Sequence, residues 1–190
     1  MSHPYRITAL VGSTSEKSRT KVLVDAIVKA LATHQKLEVS LVELSKLGTR
    51  FGAATLKSQL DPEALSALDQ IEQADLVIAA SPVYKGSYTG LFKHVIDFID
   101  INALVDTPVI LAASGGRDRH ALVVEHQLRP LFGFFRAHSI PTAVYASEAE
   151  LADYEVSSLA LQERINEAAA QAASVLRQTS STVALLKRAA

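Results

Sequence analysis

A ten-residue segment that follows a short apolar run, VGSTSEKSRT at residues 11–20, concentrates side chains that could bind an anion. It holds one glycine, five hydroxyl residues, one lysine and one arginine. The segment joins a predicted strand to the start of a predicted helix, where unpaired backbone N–H groups and the helix dipole favour a negative charge. Ser13, Ser18 and Thr20 add hydroxyl donors, and Arg19 adds a positive charge. We interpret this loop as a phosphate-binding site.

Two common phosphate-binding motifs are absent from this loop. A P-loop needs G-x-x-x-x-G-K-[ST], but Gly12 is not followed by a second glycine, and the dinucleotide motif G-x-G-x-x-G is also missing. The simpler alternative is a helix N-terminus that is capped by Ser18 and surrounded by ordinary turn residues. Composition favours the phosphate site and leaves this alternative open.

Two further loops carry residues suited to a flat ligand. In SPVYKGSYTG, residues 81–90, Pro82 stiffens the chain, Tyr84 offers an aromatic face, and two glycines let the backbone come close to a ring. In ASGGRDRH, residues 113–120, two glycines expose backbone amides and two arginines could meet an anion. Ordinary turns with solvated arginines would also explain the third loop.

The elements that position these loops alternate along the chain. The predicted strands are residues 5–11, 37–42, 76–80, 108–113 and 140–145. The predicted helices are residues 21–31, 62–74 behind the cap Asp61, 91–99, 119–138 and 159–176. Alternating strands and helices imply parallel strands joined by right-handed crossovers. We therefore predict an α/β fold, a flavodoxin-like doubly wound five-stranded parallel sheet of order 2-1-3-4-5 with helices on both faces.

In such a sheet, ligands bind at the carboxyl ends of the strands, near the point where the strand order reverses. The three loops begin at these ends and would surround one crevice, with a phosphate site at one end and a slot for a planar ring at the other. The 190 residues are long enough for one well-filled domain. We assign residues 1–177 to that domain and residues 178–190 to a C-terminal tail or a short docking helix.

Composition excludes several classes of function. The net charge of -1 and the absence of a run of like charges leave no broad basic surface, so nucleic acid is not an expected partner. The absence of cysteine excludes disulfides, thiolate metal sites and a cysteine nucleophile. The histidines lack the spacing of metal ligands. No signal peptide is apparent and no apolar run approaches the ~20 residues that span a bilayer, so we expect a soluble cytoplasmic protein.

Three motifs resemble the NADPH-dependent FMN reductase family. They are G-S-x(5)-R-[ST] after the first strand, P-V-Y-K-x-x-Y-[TS]-G after the third strand and [ST]-G-G after the fourth strand. The resemblance extends over residues 5–177. Within the family, the chain is most similar to the reductase components of two-component alkanesulfonate monooxygenases, particularly the methanesulfonate branch.

The resemblance implies roles for individual residues. The FMN phosphate would be held by Ser13, Ser18, Arg19 and Thr20. The isoalloxazine ring and the ribityl chain would be lined by Pro82, Val83, Tyr84 and Lys85. The ring edge would be contacted by Ser114, Gly115 and Gly116. Candidates for the NADPH phosphates are Arg117 and Arg119. Many relatives carry an arginine where this chain has Ser15, so one charge contact is missing or comes from Lys17, and weaker FMN retention would follow.

The resemblance also implies the reaction. FMN would accept a hydride from NADPH, with NADH as the alternative donor, and the protein would supply binding and electrostatics without a catalytic side chain. The reduced FMN would pass to a separate flavin-dependent sulfonate monooxygenase. One alternative is an NAD(P)H quinone or azo-dye reductase that retains its flavin. Another is a non-enzymatic electron carrier of the flavodoxin type, against which the near-neutral charge argues.

The predicted helix over residues 119–138 is apolar on two faces. Beside a stripe with core spacing, Val123, Pro130 and Phe134 form a second apolar face, and Gly133 permits close approach. We therefore expect a homo-oligomer, a dimer or a tetramer, that assembles through residues 120–138.

Pro130 disturbs this predicted helix. It cannot donate to the carbonyl of His126, and its ring crowds that carbonyl at a cost of about 3 kcal/mol in a regular α-helix. A wider turn, in which the carbonyl of Glu125 or His126 bonds five residues ahead, would relieve the clash. The resemblance implies an inserted residue in the corresponding helix at a tetramer interface. We hypothesise that His126 marks a π-bulge at a subunit contact and helps flavin leave; a plain proline kink with His126 in solvent is the alternative.

Overall fold

A computed structural model describes the backbone of residues 3–189 and the side chains of residues 3–179. Its sheet contains β1 (Tyr5–Val11), β2 (Leu37–Glu43), β3 (Leu76–Pro82), β4 (Pro108–Gly115), β5 (His138–Ser139) and β6 (Val144–Ser147). All of the strand pairs are parallel. The order β2-β1-β3-β4-β5 confirms the predicted topology, and the order reverses between β1 and β3.

The fifth position of the sheet differs from the prediction. The sequence pattern indicated one strand over residues 140–145, whereas two short strands, β5 and β6, both pair with β4. Pro141 lies between them, in a stretch without strand structure. A proline has no N–H to donate to the neighbouring strand, which accounts for the interruption.

Within residues 3–189, six α-helices surround the sheet. They are α1 (Arg19–Ala32), α2 (Leu44–Gly52), α3 (Pro62–Glu72), α4 (Gly90–Ile96), α5 (Arg129–Phe134) and α6 (Leu159–Ala189). The predicted cap of α3 is confirmed, because the Asp61 side chain accepts a hydrogen bond from the amide of Ala64 at 2.9 Å. Helix α2 was not predicted; only Leu44, Gly48 and Phe51 of its nine residues are buried.

The helices bury two separate apolar cores against the two faces of the sheet. One core contains the inner faces of α1 and α6, with Leu23, Ile27 and Ile165 fully buried. The other contains α2 to α5, with Phe51 and Phe92 among its largest side chains. The buried central strands are therefore rigid supports for the loops at their carboxyl ends.

Helix α6 continues past residue 177, the predicted end of the domain. The division at that residue stays a prediction, and the side chains that would dock the segment from residue 180 onward lie outside the described residues.

The segment predicted as one helix over residues 119–138 is divided in the structure. A 3-10 turn at Asp118–His120 is followed by a π-helical turn at Val124–Leu128 and by the short helix α5. Helix α5 ends early because Arg136 adopts a left-handed conformation with φ of 56°. The predicted single helix was therefore wrong in its continuity and in its end.

The π-helical turn confirms the predicted widening near Pro130. The amide of Arg129 donates to the carbonyl of Val124, five residues earlier, so the widened bond lies one residue before the predicted position. His126 is exposed in the single chain. Its predicted place at a subunit contact stays a prediction.

Candidate functional site

The first loop approaches β3 and α4 closely. The amide of Gly12 donates to the carbonyl of Ala80 at 2.7 Å, and its carbonyl accepts from the Thr89 hydroxyl at 2.9 Å. A Cβ at this position would lie 2.8 Å from the Phe92 ring, so only glycine fits without displacement. The hydroxyl residues that follow Gly12 are thereby placed directly above the carboxyl end of β1.

Ser18 is the N-cap of α1, as expected if the first loop were an ordinary helix start. Its hydroxyl oxygen accepts a hydrogen bond from the amide of Lys21 at 3.3 Å and begins α1. The hydroxyl hydrogen of Ser18 is still available to donate to a ligand. Ser13 is also buried, and its hydroxyl oxygen accepts a hydrogen bond from the amide of Ser15 at 3.3 Å. The cap and the anion site are therefore compatible in one loop.

Two hydrogen bonds hold the three loops together. The hydroxyls of Thr20 and Ser114 lie 2.7 Å apart, which joins the first loop to the third. The amide of Val83 donates to the carbonyl of Ser114 at 2.8 Å, which joins the second loop to the third. These two bonds, of which the one between the hydroxyls is buried, fix the relative positions of the loops.

The three loops enclose a cavity of about 260 Å³. The predicted residues that line it are Ser13, Ser18, Arg19, Thr20, Pro82, Val83, Tyr84, Ser114, Gly115 and Gly116. Lys17, the alternative source of the missing charge contact, also lines the cavity, and the remaining lining residues, Ser15, Glu148 and Tyr154, were not predicted to bind the ligand. Two predicted residues, Lys85 and Arg117, are exposed and do not line the cavity.

A tight turn shapes the second loop. Tyr84 and Ser87 form an antiparallel bridge, with Lys85 and Gly86 between them at φ of 52° and 86°. Two left-handed residues are typical of a type I′ turn. Lys85 therefore lies at the tip of the turn, while Tyr84 lies at the mouth of the cavity and is half exposed. The Ser87 hydroxyl also donates to Gln127 in the π-helical turn at 3.0 Å.

The third loop rests on Tyr145, a buried residue of β6 that the sequence analysis did not select. The Tyr145 hydroxyl donates to the carbonyl of Arg117 at 2.6 Å. Burial, together with the negative charges of Asp118 and Glu150, raises the pKa of Tyr145 to about 12. The hydroxyl therefore stays protonated and keeps donating. A Cβ on Gly115 would lie 2.5 Å from this hydroxyl, so glycine is required for the loop to pass.

The charged end of the cavity is occupied by residues from two parts of the chain. Arg19 pairs with Glu148 at 2.7 Å, and Glu148 follows directly after β6. The Arg19 guanidinium lies 4.9 Å from the centre of the Tyr154 ring, and the Lys17 ammonium lies 4.3 Å from it. Both distances are within the range of cation–π contacts. The Nε atom of Arg19 is buried and has no hydrogen-bond partner within the described residues.

Sequence reasoning missed Glu148 and Tyr154 because they do not belong to a strand-to-helix loop with a recognisable motif. The only available signal was their position after the last strand, since every carboxyl end of a parallel sheet borders the same crevice.

The donor set fits the phosphate of a flavin mononucleotide. Hydroxyls, the start of α1 and two cations converge at one end of the cavity, and the unpartnered Arg19 Nε is a donor that a phosphate oxygen could satisfy. Pro82, Tyr84 and the two glycines of the third loop line the same cavity, where an aromatic face and exposed backbone suit a planar ring. None of the described residues forms a cluster of three metal-ligating side chains.

Comparison with known proteins agrees with this geometry. Residues 5–151 match the family described as NADPH-dependent FMN reductase. The chain belongs to the NADPH-dependent FMN reductase family. The match includes all three cavity loops, as well as Tyr145 and Glu148. The predicted membership is confirmed, and with it the predicted enzyme class, an NAD(P)H-dependent FMN oxidoreductase.

Two relatives are similar over nearly their whole length. The NADH-dependent FMN reductase SfnF of Pseudomonas fluorescens is 52% identical over 173 residues, which cover 91% of this chain and 92% of the relative. The FMN reductase (NADPH) of Pseudomonas aeruginosa is 48% identical over 173 residues, which cover 91% of this chain and 93% of the relative. The FMN reductases among the relatives therefore include both NADH-dependent and NADPH-dependent enzymes.

Comparison with a solved structure confirms the fold of this chain. An oxidoreductase from Corynebacterium diphtheriae superimposes with a TM-score of 0.82 at 32% identity, covering 93% of this chain and 99% of that one. Among the helices described between residues 3 and 189, none has the length and apolar character to cross a membrane.

Proposed function

We propose that this chain binds FMN in the cavity formed by its three loops, reduces it with NAD(P)H, and releases it to a separate flavin-dependent sulfonate monooxygenase. The observation that carries the proposal is the lining of one cavity, which combines the cations and hydroxyls of the first loop with Pro82, Tyr84 and the glycines of the third loop. The activity of the family supports the reduction step. The sulfonate partner is supported by the resemblance to alkanesulfonate reductases.

In this proposal the first loop holds the FMN phosphate through Ser13, Ser18, Arg19 and Thr20. Pro82, Val83 and Tyr84 flank the ring and the ribityl chain, and Ser114, Gly115 and Gly116 meet the ring edge. The bound flavin supplies the hydride-accepting chemistry. The residues of this chain bind and orient the flavin. The backbone N–H groups of the third loop present the positive ends of their dipoles to the ring.

The nicotinamide nucleotide has three candidate contacts outside the cavity. The predicted candidates Arg117 and Arg119 are exposed on the third loop, Lys85 is exposed on the second loop, and each could meet a phosphate of the nucleotide. A relative named for NADH and one named for NADPH are similarly identical to this chain, at 52% and 48%, and either nucleotide could be the hydride donor. Steady-state assays with both nucleotides determine the preference.

We also propose a homo-oligomer, a dimer or a tetramer, that assembles through residues 120–138. Leu122 and Phe134 lie in this segment with 64% and 65% of their surfaces exposed. Sedimentation velocity on the protein and on Phe134→Ser tests the interface. We expect the wild-type protein to sediment as an oligomer and the variant to dissociate; a wild-type monomer would contradict the proposal.

The reduction and release steps are tested by varying FMN at fixed enzyme with saturating NADH or NADPH, followed by gel filtration. We expect FMN to saturate as a second substrate and the filtered protein to be colourless or faintly yellow. A stoichiometric flavin that survives filtration would favour the quinone or azo-dye reductase. Adding a sulfonate monooxygenase and its sulfonate should produce sulfonate oxidation only when the reductase, FMN and the nucleotide are all present.

A further inference from the structure

An acidic side chain occupies the charged end of the candidate FMN cavity. The Glu148 carboxylate lies 2.7 Å from a terminal nitrogen of Arg19, the same guanidinium that is proposed to hold the phosphate. Glu148 lines the cavity, and its side chain is 56% exposed, so it can turn toward solvent. A carboxylate and a phosphate both seek the same planar set of N–H donors. They would therefore compete for Arg19.

The segment that carries Glu148 is held at the cavity by its own conformation. Residues Ala149–Tyr154 form an irregular 3-10 turn in which Leu151 is fully buried. Asp153 and Tyr154 both have left-handed backbones, with φ of 51° and 62°, which is unusual for residues other than glycine. This conformation places the Tyr154 ring over Lys17 and Arg19. The Arg19 guanidinium is thus fixed between an aromatic face and a carboxylate.

We propose that Glu148 is an internal competitor of the FMN phosphate at Arg19 and that it weakens the hold on FMN, so that the flavin exchanges as a substrate. The inference rests on the proposed FMN site. When FMN binds, its phosphate pairs with the Arg19 guanidinium and the Glu148 side chain rotates into solvent. When the flavin dissociates, Glu148 forms its salt bridge with Arg19 again. Riboflavin has no phosphate, so its binding leaves the Arg19–Glu148 pair intact.

The test compares FMN and riboflavin binding, by isothermal titration calorimetry, for the wild-type protein, Glu148→Gln, Arg19→Ala and the double variant. Glutamine keeps the size of Glu148 and removes its charge. The Glu148→Gln change removes the ion pair with Arg19 and a negative charge near the FMN phosphate. We therefore expect FMN to bind about threefold to tenfold more tightly. Riboflavin binding should be unchanged. Glu155→Gln is the matched control, because Glu155 is also exposed and acidic but does not line the cavity.

The double variant assigns the effect to Arg19. The gain from Glu148→Gln should be clearly smaller when Arg19 is alanine, because only the repulsion between Glu148 and the phosphate is then left to relieve. Gel filtration gives a second measurement: Glu148→Gln should retain more FMN than the wild-type protein. FMN affinity that is unchanged or weaker in Glu148→Gln would overturn the proposal, because Glu148 would then be neutral or would help to position Arg19. An equal gain for riboflavin, or an equal gain in Glu155→Gln, would also overturn it.

Failure of this inference can be distinguished from failure of the proposed FMN site. If Arg19→Ala weakens FMN selectively but Glu148→Gln does not tighten it, the site stands and the competition is refuted. If Arg19→Ala leaves FMN binding unchanged, the phosphate does not lie at Arg19, and both the site and the competition are refuted.

Discussion

The variant Gly12→Ala tests whether the packing beneath the first loop sets the geometry of the site. The added Cβ would lie 2.8 Å from Cδ2 of Phe92 and 3.0 Å from the carbonyl oxygen of Ala80. Phe92 is fully buried and Ala80 belongs to the central strand β3, so neither can move away. The first loop itself must move. Overpacking of this kind costs about 1–3 kcal/mol, which corresponds to a fall in Tm of about 2–12 °C for a chain of this size.

The same displacement would misplace the hydroxyls above β1. We expect the KM for FMN to rise by about tenfold in Gly12→Ala, because small errors in position are costly at a preorganised site. The assays are thermal unfolding and steady-state NAD(P)H oxidation with varied FMN. Gly52→Ala is the matched control, since a Cβ there meets nothing within 4 Å, and it should keep the wild-type KM. A Gly12→Ala protein with the Tm and KM of the wild type would refute this reasoning.

Two further variants test the hydrogen bond from Tyr145 to the third loop and the buried hydrogen bond between Thr20 and Ser114. Because the pKa of Tyr145 is raised to about 12 from its ordinary 10.0, the wild-type protein should lose stability between pH 10 and 12 relative to Tyr145→Phe; denaturation curves with parallel pH dependence would contradict this. Thr20→Val leaves the buried Ser114 hydroxyl without its 2.7 Å partner and should cost about 1–3 kcal/mol, whereas Thr20→Ser should cost less; urea unfolding of both measures the difference.

The sheet could be predicted from the sequence because its strands are buried on both faces. In β3, every residue from Leu76 to Ser81 is buried, so the strand appears as a continuous apolar run between polar loops. The parallel pairing followed from the alternation of strands and helices, and the order was that of the flavodoxin-like fold that five such strands fit. Local features that depend on few residues were harder to place. Helix α2 buries only three residues, and the interruption at Pro141 divides a run that is apolar on either side.

The loops of the candidate site were predictable for the same reason, since each one begins where a buried strand ends. Ten of the residues selected from the sequence line one cavity. Lys85 was selected by its place in a motif, but the handedness of the turn at Tyr84–Ser87 sets its position at the tip. Glu148 and Tyr154 reach the cavity through a segment with two left-handed residues, a conformation that no sequence pattern indicates.

The central claim is that Arg19 holds the phosphate of FMN, and the most direct measurement is the affinity of Arg19→Ala for FMN and for riboflavin. Loss of a charge-assisted hydrogen bond of about 1.5–3 kcal/mol should weaken FMN by about tenfold to 150-fold. Riboflavin should bind as it does to the wild type. Arg6→Ala, which removes the same charge at the opposite end of β1, should affect neither flavin. Equal losses for FMN and riboflavin in Arg19→Ala would contradict the account.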